Sequence, residues 1–330
     1  MNGPRQDSSV SDERLQPEQW RDEFVLSRDI REVGAKSQHY RDFEAGRLVQ
    51  LARGAYRDAG RTVTDDERYL ELIRARALVS RSAPVFSHLS AARIWGLPIL
   101  GYWPEIVHVE VGNSRNGRSI PGLRRHRSTR DDAITWRGGL LVTSLARTVA
   151  DLASTTRLET AVIVVDAALH GQRDLEGRSL RAPLAQQALE AELADRANSR
   201  GIRQLAWAVA FGDGLSESPG ESVSRLTMHR IGCPPPVLQQ TFTDNNRFVA
   251  TTDFWWPDYN LTGEFDGRGK YLREELTAGK TAAEVVVDEK VREDRVRALG
   301  PRMTRWVWEE ARSPRDLRLK LTRAGLPCTR

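Results

Sequence analysis

From Arg247 to Lys270 the chain alternates with the period of strands. Val249, Thr251 and Asp253 fall on one face of an extended segment, and Phe248, Ala250 and Thr252 on the other. Pro257, Asp258 and Asn260 are turn formers. Beyond them Leu261, Gly263 and Phe265 share one face, and Thr262, Glu264 and Asp266 share the other. The pattern predicts a tight β-hairpin that brings Asp253 beside Glu264 and Asp266, with Lys270 just past them. Carboxylates so close repel, and the usual remedy is a hard cation held by oxygen ligands.

Elsewhere the pattern is mostly helical. Ser27 can cap a short helix, Arg28 to Val33, that Gly34 ends, and Ser37 can cap a second, Gln38 to Ala45, that Gly46 ends. Ile30, Val33, Tyr40 and Phe43 would supply a small core, while Gln38, His39, Arg41 and Arg47 would face outward. RLVQLARGAYRD then reads as two strands around Gly54, with Arg53 and Arg57 at the tip. Helix, helix and basic hairpin is the order of a winged helix-turn-helix, in which one helix enters the major groove and the wing holds phosphates. A small helical packing module with a polar surface fits the same spacing.

Thr64 and Glu67 form a capping-box pattern at the head of a helix to Arg81, whose stripe is Leu70, Ile73, Ala77 and Leu78. Ser87 opens a further helix, HLSAARIWG, and Ile106 to Val111 alternates as a strand in which His108 reads as a structural residue. Residues 113 to 130 carry six arginines, among them Arg124, Arg125 and Arg127, and form either a solvated loop or a ribbon against a nucleic-acid backbone. A strand at Leu140 and two core helices, SLARTVADLAS and LETAVIVVDAALH, follow. Ser218, Pro219 and Glu221 start a helix that GCPPP stops. Thr281 to Leu299 reads as a charged helix, MTRWVWEE as a strand, and Ser313 with Pro314 as the start of a last helix.

Composition narrows the classes. The 330 residues are 39% hydrophobic and 29% charged, an ordinary globular balance. No stretch approaches the roughly 20 apolar residues of a membrane span, and the polar first 20 residues lack a signal-peptide core, so a cytoplasmic protein without membrane contact is expected. Cys233 and Cys328 cannot make a zinc site by themselves and are expected as two reduced thiols. The six histidines show no HxxxH or HxH spacing, which argues against a zinc hydrolase. Only five of the 50 basic residues are lysine. An arginine-rich set with net charge +5 suits phosphate, although a GC-rich genome gives the same bias. GKT at 279 to 281 lacks the glycine that a phosphate-binding loop needs at Glu274, so an ATPase is rejected.

The C-terminal order of GES at 220 to 222, the Asp253 strand, EFDG at 264 to 267, Lys270 and Tyr271, EKVRED at 289 to 294 and RWVW at 305 to 308 resembles the PD-(D/E)XK nuclease superfamily, and more closely its very-short-patch-repair-like branch. The first half is similar to AbiEi-like antitoxins of type IV toxin–antitoxin systems, through residues 24 to 57, SHLSAARIWGLP and TSLARTVADLA. Together these give an α/β protein in five stretches: a lead-in at 1–20, a winged helix-turn-helix at 21–60, an antitoxin-like α+β domain at 61–170, a helical connector at 171–212 and a restriction-endonuclease-like α/β domain with a central mixed sheet at 213–330. The nuclease resemblance implies Mg²⁺ held by Asp253 and Glu264, with Glu221 a further candidate ligand. Asp266 stands where the superfamily places its nucleophile-orienting lysine, so Lys270 or Lys290 would supply that charge. A Mg²⁺-dependent DNA endonuclease is therefore expected. The alternatives are a non-catalytic transcriptional regulator or antitoxin-like protein with an inert nuclease fold, whose partners would be DNA and a cognate toxin, and a protein-interaction module.

Overall fold

The computed structural model describes residues 18–32, 34–112, 119–127, 133–174, 176–267 and 291–329. It is a mixed α/β protein with helices around several sheets. Its contacts divide it into two units, Met1–Leu97 with Gly101–Leu152, and Pro98–Leu100 with Ala153–Arg330.

The N-terminal unit begins with α1 (Glu18–Arg21), β1 (Val25–Leu26), α2 (Ser27–Glu32), α3 (Lys36–Glu44), β2 (Leu48–Ala52) and β3 (Ala55–Asp58). The three strands form an antiparallel sheet in the order β1-β3-β2. Gly34 and Gly46, after the two helices, have φ of +73° and +70°, the left-handed conformation that stops a helix cheaply only at glycine. Ile30, Tyr40 and Phe43 do not form the expected core, and Val33 lies outside the described residues. Tyr40 and Phe43 are 63% and 41% exposed, and neither α2 nor α3 buries a residue. The interior is filled instead by Trp20, Phe24 and Leu26, which precede both helices, and by Ala52 and Ala55. Strand β1, two residues long, was too short to leave an alternation, yet it supplies Leu26 to this core.

Next come α4 (Asp65–Val79), β4 (Val85–Phe86), α5 (His88–Trp95), β5 (Val107–Val111), β6 (Leu123–Arg127), β7 (Ile134–Arg137), β8 (Leu140–Thr143) and α6 (Leu145–Thr155). Helix α4 opens on the expected capping box: Glu67 N donates to Thr64 Oγ at 3.2 Å and Thr64 N to the Glu67 carboxylate at 2.8 Å. The strands form one mixed sheet, β6-β5-β4-β8-β7, in which β5 with β6 and β4 with β8 run parallel. Tyr69 of α4 is buried and bonds Ser90 of α5 and the Ile106 carbonyl, which fixes both helices over the sheet.

The C-terminal unit contains α7 (Leu158–His170), the pair β9 (Gln172–Arg173) and β10 (Ser179–Arg181), and the helices α8 (Gln186–Asp195), α9 (Ile202–Phe211) and α10 (Pro219–Arg230). Then follow β11 (Val237–Asp244), β12 (Arg247–Trp256), β13 (Leu261–Phe265), a helical stretch α11 at 291–298, β14 (Arg302–Trp306), α12 (Trp308–Ala311) and α13 (Pro314–Arg323). The sheet order is β11-β12-β13-β14, antiparallel except for the parallel pair β13 and β14. One face carries Phe254, Trp256, Phe265 and Trp306, all buried with Val223 of α10 and with Leu317 and Leu321 of α13. Contact is so close that a Cβ at Gly220 would lie 1.9 Å from the Phe265 ring, and one at Gly263 would lie 2.5 Å from the Trp306 ring. Only glycine fits at either place.

Cys233, just after α10, and Cys328, in the C-terminal tail, form a disulfide across 95 positions. This corrects the expectation of two separate thiols. Local spacing says nothing about partners so far apart, whereas the packing of α13 returns the tail to α10, where Thr329 N also donates to the Gly232 carbonyl. A bridge that closes so long a loop restricts the unfolded chain strongly. We expect Cys328→Ser, or reduction of the native chain, to lower the stability of the C-terminal unit by about 2–4 kcal/mol, read as an earlier midpoint in urea denaturation. An unchanged midpoint would contradict a formed bridge.

Candidate functional site

The expected hairpin is present. Phe254 faces Gly263, Trp255 faces Thr262 and Trp256 faces Leu261. A single turn of 3₁₀ helix at Pro257–Tyr259 and left-handed Asn260 (φ +44°) connect the strands. Asp253 and Glu264 are the next residues along these strands. Their charges are close enough that Asp253 helps to push the Glu264 carboxyl up. Asp253 accepts the Phe265 amide proton through Oδ2 at 2.8 Å, so a side chain serves the backbone where the β12–β13 ladder stops.

Both oxygens of Glu264 are bonded. Arg292 of α11 donates to Oε1 at 2.6 Å, and Arg305 of β14 lies 2.7 Å from Oε2. Strand pairing accounts for the second contact, because Glu264 and Arg305 are register partners on neighbouring parallel strands. Arg292 also donates to the Thr251 carbonyl at 3.1 Å, tying α11 to β12. Glu293 extends the network to Arg305 at 3.7 Å and to Arg297 at 2.5 Å. Glu264 is only 7% exposed. Burial pushes its carboxyl above the ordinary value, and the two arginines pull it back.

Glu221, 4% exposed, is occupied as well. It accepts from Glu217 N at 2.9 Å, from Ser218 Oγ at 2.6 Å and from Gln239 Nε2 at 3.0 Å, so it organises the head of α10 and the start of β11. The Asp266 amide donates to the Trp306 carbonyl and prolongs the β13–β14 pairing. Lys270 and Lys290 lie outside the described residues. Mg²⁺ needs carboxylate oxygens turned towards a shared point. Here Glu264 gives both of its oxygens to guanidinium groups, and Glu221 gives both to hydrogen-bond donors. Among the described residues no group of three His, Cys, Asp or Glu could hold a metal ion. The side chains as folded do not fit Mg²⁺ unless Arg292 and Arg305 withdraw.

In the N-terminal unit, Gln38, Arg41 and Arg47 are exposed and joined through Asp42. Gln38 donates to Asp42 at 2.8 Å, Arg41 to Gln38 at 2.7 Å, and Arg47 Nε to Asp42 at 2.9 Å. Arg53 is exposed at the tip of the β2–β3 hairpin. His39 turns inward, with its ring edge-on to Tyr56 at 4.6 Å. Arg57 also turns inward: its Nε lies 3.0 Å from buried Glu71 of α4, and its side chain is 12% exposed. Arg124 and Arg127 are exposed on β6, and Arg125 is half-buried. Sequence reasoning missed Arg292 and Arg305 as the partners of Glu264. It also missed a cluster of three histidines, His88, His108 and His126, whose members lie on three elements. Three of the chain's six histidines falling at one helix start and on two strands was the available signal.

No family model matches the chain. It is similar to two proteins of Mycobacterium tuberculosis, both named as uncharacterized (MT2308 and Rv2248), at 32% identity over 167 residues. The match takes in 47% of this chain and 58% of the length of each relative. Neither name carries an activity.

The arginine clamp makes a prediction that needs no metal. Arg305→Ala leaves a buried carboxylate short of a partner and should cost about 1–3 kcal/mol, whereas adding Glu264→Gln should recover part of that loss. Chemical denaturation of the single and double variants in EDTA gives the coupling. Strict additivity would mean that the clamp contributes nothing.

Proposed function

We propose that this chain is a DNA-binding protein whose nuclease-like C-terminal region is inert, its acids being held in ion pairs and backbone bonds. The observation that carries the reading is the double engagement of Glu264 by Arg292 and Arg305. A carboxylate satisfied on both oxygens gains little from a cation and would have to lose two charge-assisted bonds to bind one. The DNA contact is assigned to α3 and the β2–β3 hairpin. Helix α3 has no buried residue, which suits an element that enters a groove rather than a core. Arg41, Arg47 and Arg53 are exposed cations of these elements, and Arg124 and Arg127 offer further phosphate contacts from β6. His39 and Arg57 leave the contact set because each is committed inward.

A second reading, a Mg²⁺-dependent DNA endonuclease, is favoured by one observation, the neighbouring charges of Asp253 and Glu264. It requires both arginines to leave Glu264.

One pair of measurements separates the readings. Duplex binding, followed by fluorescence anisotropy against salt, should weaken in Arg41→Ala and in Arg53→Ala. Each lost phosphate contact should reduce the salt slope by about one. Supercoiled plasmid incubated with the chain in Mg²⁺ or Mn²⁺ should stay intact. Binding indifferent to both substitutions would remove the proposed DNA face. Nicking that vanishes in Glu264→Ala would establish the endonuclease instead.

A further inference from the structure

The three histidines of the N-terminal unit form one stack. The rings of His88 and His126 lie face to face, with centroids 3.6 Å apart and planes 15° from parallel. His108 Nδ1 is 2.9 Å from His126 Nε2, and the two rings are 16° from parallel. Each comes from a different element: His88 is the first residue of α5, His108 is on β5 and His126 is on β6. His108 is 7% exposed. His88 has φ of +50°, uncommon for a residue with a side chain, so the backbone accepts strain where the ring joins the stack.

Among the described residues, charged neighbours come from three elements. From β5, Glu110 shares register with His126, and from β6, Arg124 shares register with His108. From α6, Asp151 lies 3.9 Å from His88 Nδ1, and Arg147 bonds both Asp151, at 3.1 Å, and Glu110, at 2.8 Å. From the residue before α5, Ser87 Oγ lies 3.1 Å from His88 Nδ1. Arg147 therefore engages both of these acids, while Arg124 adds a positive charge.

Among the described residues strand β6 is an edge, with β5 as its strand neighbour in the sheet, and the pairing runs over five residues. Across that pairing the imidazole contact is a second fastening, made by side chains. Two ring nitrogens can share a hydrogen bond only while one donates and the other accepts. When both rings are protonated, two N–H groups and two positive charges face each other across 2.9 Å, and a third ring is stacked on one of them. The geometry is closed and self-consistent with neutral rings and becomes repulsive with charged ones.

We propose that the histidine stack is an acid-sensitive clasp, which holds edge strand β6 to β5 and α5 while its rings are neutral and releases that strand as they take up protons. The proton affinities agree with the geometry. Burial, then the charges of His88 and Arg124, push His126 down to about 4, with Asp151 pulling it partly back. Burial, then the charges of His126, His88 and Arg124, push His108 down to about 3. An imidazole freed into water titrates near 6.5. The open strand therefore binds protons more readily than the closed one. The clasp is at full strength above about pH 6.5 and weakens as pH falls towards the closed-state values. Within that window the open population rises roughly tenfold per pH unit for each histidine released. The clasp stands whether or not the chain binds DNA.

Hydrogen exchange on the whole chain tests this directly. Amides of residues 119–127 are followed from pH 7.5 to 4.5, corrected for intrinsic exchange, with β11 to β14 as internal reference. The expected result is an opening constant for β6 that climbs by ten- to a hundredfold per unit below pH 6.5, ahead of the C-terminal sheet. His126→Phe keeps an aromatic ring in the stack without a proton to accept, and should flatten that dependence. Should this variant fail to fold, carbon-detected titration of the wild-type imidazoles serves in its place: two of the six should remain neutral down to pH 5. A pH-independent β6, a phenylalanine variant with the wild-type slope, or six ordinary titrations near 6.5 would each overturn the proposal. So would Zn²⁺ protecting β6 in the wild type and not in the variant, because the stack would then be a cation site.

Discussion

Strand β13 must have both of its edges satisfied, and this requirement organises the C-terminal unit. All five of its residues are buried, so its amides and carbonyls have no water to turn to. Strand β12 covers one edge as far as Gly263, and β14 covers the other along its whole length. Where the pairing of β12 with β13 stops, the Asp253 carboxylate takes a hydrogen bond from the Phe265 amide. The parallel sense of β14 places Arg305 beside Glu264 and Trp306 beside Phe265. The hydrophobic face and the charged face of the sheet thus follow from one pairing. A carboxylate that the sequence offers as a metal ligand is, in the fold, the partner of a residue on the next strand.

Much of this architecture can be read along the chain. The hairpin from Arg247, its turn, the capping box at Thr64 and the proline-headed start of α10 are local, and local chemistry determines them. What escaped was the identity of distant partners. Alternation shows which face Glu264 occupies, but not that Arg292, 28 positions on, would reach it. Helical spacing put Tyr40 in a core that Trp20 and Phe24 fill instead, because a helix of nine residues can lie on a surface without burying a stripe. Arg57 read as a wing-tip cation because nothing in its neighbourhood of sequence shows Glu71 waiting beneath it.

The chain keeps its buried ionisable groups by two means. In the C-terminal unit, acids are balanced by arginines: Glu264 by Arg292 and Arg305, and fully buried Asp166 by Arg225 at 2.8 Å. Such pairs repay desolvation only when hydrogen bonds complete them, and here they do. In the histidine stack of the N-terminal unit, burial instead favours the uncharged forms of His108 and His126. The first device is sensitive to loss of a partner. The second tolerates loss of charge and is sensitive to its arrival.

The bridge between Cys233 and Cys328 encloses the four-stranded sheet β11–β14 within one covalent ring. A ring survives one cut. A protease that severed any single peptide bond between the two sulfurs would leave the fragments joined, and they would travel as one species on a gel until a reductant parted them. From Cys233 to Cys328 the chain's continuity thus rests on two kinds of covalent bond, and neither a single peptide cut within the ring nor reduction alone divides that segment.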